Sequence, residues 1–90
     1  MNIVQNTNVE HVRVGEVGTH MTHLVLCNIV DQQDRDGEMV YLVRGEKMIA
    51  TAIRDEKTQL LTCVTALGVD RDDKEGEAFF LDHVKFNKPV

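Results

Sequence analysis

Residues 9–14, Val-Glu-His-Val-Arg-Val, place β-branched side chains at alternate positions near their end. That period predicts a strand. Gly15 and Gly18 bracket a turn, where glycine supplies the backbone angles that tight turns need. Residues 19–30 form the longest apolar run of this half, with Met21, Leu24, Val25, Leu26, Cys27, Ile29 and Val30. Apolar groups fall on both alternating faces, the pattern of a strand covered on both sides or of a buried helix. The β-branched content and the turn signals at each end favour the strand. An acidic loop over residues 31–37 follows, then a third strand over 38–43 and a short connection, Arg44-Gly45-Glu46. Residues 1–8 are polar and read as a loose arm or a short edge strand.

The same order recurs at an offset of 39 residues, from Val30 to Val69. Residues 30–42 and 69–81 share Val, two Asp, Gly, Glu and Leu. Arg35 becomes Lys74, Asp36 becomes Glu75 and Tyr41 becomes Phe80, which keeps charge and shape. The offset also aligns the flanks. A strand over residues 47–53 matches 9–14, a polar turn at 54–57 matches 15–18, and the apolar run 59–69 matches the first long run. An acidic loop over residues 70–76, a last strand over 77–86 and a tail at 87–90 complete the chain. Val25 and Val64, and Leu42 and Leu81, thereby become equivalent core positions. Gly37 and Gly76 become equivalent turn glycines.

Three strands bury too little surface to stand alone, so two copies would pack together. The expectation is an all-β domain over residues 1–90. Its six antiparallel strands form two three-stranded repeats, 9–43 and 48–82, arranged as a sandwich or a small closed barrel. The alternative is an α+β fold in which the long apolar runs are helices.

Composition narrows the functional classes. The chain has 90 residues and a net charge of -5, from 15 Asp and Glu against 10 Lys and Arg. That charge disfavours nucleic acid and anionic membrane surfaces and favours a basic protein partner. The first residues lack a basic segment and a long apolar run, so no signal peptide is expected, and no stretch approaches membrane-spanning length. Two cysteines do not make a disulfide framework, and a cytoplasmic location with free thiols follows.

Chemical motifs are sparse. The acidic segments have carboxylates before a glycine, as calcium loops do, but Gln32 and Arg71 fall at the first ligand position and Arg35 and Lys74 neutralise part of the charge. His20, His23 and Cys27 would converge on a metal only if residues 20–27 were helical; on a strand they diverge. In a tight hairpin with Val14 opposite Thr19, Glu10 would face His23 as an ion pair. Cys27 and Cys63 lie in apolar runs, as structural thiols do. The chain has no serine and no glycine-rich phosphate loop. No catalytic residue, metal site or cofactor is assigned.

The expected function is therefore non-enzymatic: a protein-binding module acting through an acidic surface. It resembles in size and charge alone those viral inhibitors, such as phage anti-defence proteins, that occupy the basic groove of a nucleic-acid-binding protein. The binding residues would be Asp31, Asp34, Asp36 and Glu38 in one segment, with Asp70, Asp72, Asp73, Glu75 and Glu77 in the other. The alternatives are a self-assembling structural protein, and a small metal-dependent nuclease or hydrolase using His11, His20, His23 or His83.

Overall fold

The computed structural model describes residues 8–15, 18 and 20–86. Expectations for residues 1–7, for positions 16, 17 and 19, and for the tail at 87–90 lie outside the described residues. Five strands, β1 (Val9–Gly15), β2 (Thr22–Arg35), β3 (Glu38–Arg44), β4 (Met48–Arg54) and β5 (Leu61–Gly68), precede one helix, α1 (Lys74–His83). Each strand pairs antiparallel with the next, and β1 meets β5 in parallel, closing a barrel. The protein is mostly β, and both long apolar runs are strands.

Strand β2 belongs to both sides of the barrel. Its first part pairs with β1, from Gly15↔Thr22 to Val9↔Asn28. Its second part pairs with β3, from Asn28↔Arg44 to Arg35↔Glu38, with a register break between Ile29 and Asp31. Val30 is the extra residue of that bulge, and such an insertion bends a strand and increases its twist. The acidic segment at 31–37 is therefore largely strand. Only Asp36 and Gly37 form the loop, with φ of 56° and 88°. Two left-handed residues in an Asp-Gly pair are what a tight hairpin turn requires.

The sixth strand expected at residues 77–86 is not formed, because residues 74–83 are helical. The substitutions that looked conservative explain the change. Glu75 stands where Asp36 stands, and Glu does not share the tolerance of Asp for a left-handed backbone. Residues 74–83 also contain no Val, Ile or Thr, whereas β3 contains Val40 and Val43. Asp73 instead caps a helix, its carboxylate accepting from the Gly76 amide at 3.0 Å. Glu75 and Glu77 lie in the first turn and His83 in the last, each where the helix dipole favours it. The two halves thus differ in their last third, and Gly76 is helical where Gly37 is not.

Two apolar layers result. Val12, Cys27, Val43, Ala50, Ala52 and Leu61 fill the barrel, with Val25, Ile29, Tyr41 and Cys63 packed around them. The second layer lies outside it: Leu42 and Ile49 meet Val69 and Phe80, with Leu67, Val84 and Phe86 alongside. Helix α1 thus covers the outer face of β3 to β5. Leu42 is buried, but Leu81 is 38% exposed, so the two are not equivalent core positions. Val25 and Val64 are only half-buried, and Val64 falls at a register break of β5.

The barrel closes on a short seam. Val12↔Leu61 and Arg13↔Thr62 are the registered pairs between β1 and β5. The Thr62 hydroxyl, buried there, has no hydrogen-bond partner among the described residues. A charged group joins the strands flanking β5: Arg54 of β4 donates two 2.9 Å hydrogen bonds to the Glu10 carboxylate of β1 and lies over the Tyr41 ring.

Candidate functional site

Several of the acidic residues have local structural roles. Asp34 serves the hairpin turn, its carboxylate accepting from the Gly37 amide at 2.8 Å. Asp36 is in the turn and Glu38 faces Arg35 across the ladder. Asp31 pairs with Lys85 at 3.4 Å, and Arg35 donates to the Phe86 carbonyl at 2.7 Å, so these residues tie the hairpin to the chain beyond α1. In the second segment Asp73 is the helix cap, and Glu77 lies 4.0 Å from Lys74. Asp70, Asp72 and Glu75 are exposed. Several of these carboxylates therefore hold local structure as well as carrying surface charge.

Among the described residues no helix lies over the outward side chains of β2 at Leu24 and Leu26. Residues alternating inward from β2 are Val25, Cys27 and Ile29, and those alternating outward include Leu24 and Leu26. Leu24 is 58% exposed and Leu26 57%. The apolar run was expected to be covered on both faces; α1 packs beside Leu42, Ile49 and Leu67 and covers neither Leu24 nor Leu26. Residues 24–27 pair with β1 on one edge, while on the other edge β3 ends at Arg44, which is level with Asn28. Among the described residues no strand continues that second edge. A groove of about 520 Å³ lies there, lined by Leu24, Val25, Leu26, Glu46, Lys47 and Met48. Leu24 is ten residues from Asp34, so the groove and the acidic turn lie towards opposite ends of β2.

A second concavity lies between β2 and α1. It measures about 260 Å³ and is lined by Asn28, Val30, Arg44, Arg71, Lys74 and Glu77. Arg44 is only 9% exposed. Its guanidinium donates to the carbonyls of Met48, Val69 and Asp70 at 2.7–2.8 Å. These bonds fix the segment between β5 and α1.

The groups considered for catalysis are dispersed. Among the described residues no three of His, Cys, Asp and Glu stand close enough to hold a metal ion. Residues 22–27 are strand, so the helical face needed to converge His20, His23 and Cys27 is not formed. The hairpin register also differs from expectation. His23 faces Val14, Glu10 faces Cys27, and Glu10 takes Arg54 as its ion-pair partner. His11 is exposed on β1, and His83 stacks on Phe79 at 4.6 Å between centroids. Burial pushes the thiols of Cys27 and Cys63 above their ordinary range, and Cys63 adds to the effect on Cys27. Such thiols are poor nucleophiles at neutral pH. Among the described residues no helix is long and apolar enough to cross a membrane.

Sequence reasoning missed Arg44 and the uncovered leucines. Arg44 closes a strand whose residues from Met39 to Val43 carry no charge, and a cation that follows such a run can be read as a buried group needing partners. No comparable signal marks Leu24 and Leu26, because an apolar face reads alike whether a helix or a partner covers it. Comparison with protein-family models, with curated proteins and with solved structures returns no match for the chain.

Proposed function

We propose that the protein is a non-enzymatic protein-binding module that takes an extended segment of a partner along the open edge of β2. The observation that carries this is the coincidence of a strand edge at residues 24–27, unpaired among the described residues, with the exposed Leu24 and Leu26. An added strand would satisfy the backbone of that edge, while pockets beside it select alternate side chains. The groove lined by Leu24, Leu26 and Met48 is the apolar pocket such a segment needs. The carboxylates of the hairpin turn and of the residues before α1 add attraction for a basic partner, chiefly to the association rate. An inhibitor acting on a basic or nucleic-acid-binding protein would use this combination, with the edge giving affinity and the charge giving speed.

The same edge could pair with its copy in a second molecule, which keeps self-assembly as the second reading. One experiment separates the outcomes. The parent, a Leu24→Asp/Leu26→Asp variant and an Asp34→Lys/Asp36→Lys/Glu38→Lys variant are compared by sedimentation equilibrium and by affinity capture from host extract. The leucine variant loses the captured protein while keeping its circular dichroism spectrum. The charge variant retains it with slower association. Equal capture by parent and leucine variant refutes the edge as the interface. A concentration-dependent dimer lost in the leucine variant establishes the second reading.

A further inference from the structure

We infer that the cleft between β2 and α1 is a binding site for a small phosphate dianion, either free phosphate or a compact phosphomonoester. Three cationic side chains, Arg44, Arg71 and Lys74, line it with one carboxylate, Glu77. The lining thus holds three cations against one carboxylate in a chain whose total is -5, while Asp70, Asp72, Asp73 and Glu75 flank it in sequence.

Arg44 is the central group. It is nine-tenths buried, and a buried cation is ordinarily matched by an anion. Here every hydrogen bond it makes goes to a backbone carbonyl: those of Gly45, Met48, Val69 and Asp70. They orient the guanidinium and offset part of its charge with carbonyl dipoles, and no carboxylate among the described residues forms an ion pair with it. Arg71 likewise has no ion-pair partner among the described residues. Lys74 lies 4.0 Å from Glu77, is 81% exposed in its side chain, and is free to swing into the cleft. The Asn28 amide, on the strand residue that faces Arg44, supplies a neutral donor.

Size and charge select the ligand. About 260 Å³ is smaller than most drug-sized pockets and fits a phosphate with a small organic group. Arginine forks match phosphate and carboxylate alike, but the surplus of positive charge over Glu77 favours two negative charges over one. Glu77 is then a gate on affinity, since it repels the ligand and competes for Lys74. This site is independent of the strand-edge reading, because Leu24 and Leu26 take no part in it.

Isothermal titration of the full chain with inorganic phosphate, phenyl phosphate and acetate at pH 7.5 tests the proposal. Arg71 and Lys74 are exposed, so Arg71→Ala/Lys74→Ala keeps the fold, and circular dichroism checks that it does. Phosphate binds the parent at one site per chain, and acetate binds at least about tenfold more weakly. The double variant loses about tenfold or more of the phosphate affinity, and Glu77→Gln gains several-fold. Tighter binding of phenyl phosphate than of phosphate identifies a monoester as the ligand, and the reverse order identifies free phosphate. Absence of phosphate binding to the parent, equal binding by the double variant, or acetate matching phosphate overturns the proposal.

Discussion

At the scale of single residues, the Asp36-Gly37 pair and the Glu75-Gly76 pair show how one side-chain carbon redirects a backbone. Gly37 has φ of 88°, so Gly37→Val strains the turn by about 1 kcal/mol or more. Gly76 is helical, and a Cβ there would lie 2.9 Å from the Asp73 carboxylate. Gly76→Ala gains helix propensity of about 1 kcal/mol and disturbs a cap worth about as much, so its net effect is close to zero. Thermal melts of both variants check the contrast; equal losses would contradict it. Glu10 gives the second prediction. The hydrogen bonds from Arg54 hold its carboxyl below the usual carboxylate range, against an opposing effect of burial. A depressed folded-state pKa contributes stability above the ordinary value of 4.5, and that contribution is lost as pH falls through the folded value. The melting temperature of the parent therefore declines from about pH 5 downward more steeply than that of Glu10→Gln. Parallel profiles would mean that the ion pair is thermodynamically silent.

Element by element, the strands were legible and the helix was not. Alternation and turn glycines locate β1, β3 and β4, and the β-branched runs locate β2 and β5. The helix was hidden by the resemblance of residues 69–81 to residues 30–42. Matching Tyr41 to Phe80 kept size and missed direction: Tyr41 packs against the barrel interior, and Phe80 enters the outer layer from a helix. The consequence is measurable. Phe80 is fully buried, so Phe80→Ala costs about 3–5 kcal/mol, enough to unfold much of a domain this small. Leu81→Ala, at a position 38% exposed, costs well under half as much. Denaturant midpoints of the two variants decide it. A severe Leu81→Ala would restore residues 77–86 as a core strand.

At the scale of the whole molecule, composition described the average and missed the distribution. A net charge of -5 is compatible with a basic cleft around Arg44, because Arg71 and Lys74 alternate in sequence with the carboxylates before α1. Likewise the apolar run of β2 showed that both faces were hydrophobic, but only the placement of α1 determines that Leu24 and Leu26 face outward uncovered. Candidate sites of this kind are decided by which side of the barrel the helix takes.

The junction of β1 with β5 follows from parity. Five strands that reverse direction at every step return to the start with the wrong sense, so one pair in the ring must run the same way. That pair is joined by two registered positions, against seven between β1 and β2. An odd ring therefore has a built-in door, and it opens beside a buried hydroxyl that is already without a partner among the described residues. Ring opening there would release β1 together with the first part of β2 while the β3–β4 ladder and α1 stay in place. Native-state hydrogen exchange would then show the amides of residues 12, 13, 61 and 62 exchanging at denaturant concentrations that leave those of residues 41–43 and 50–52 protected. Simultaneous exchange of both groups would mean that the ring, odd or not, opens only by unfolding entirely.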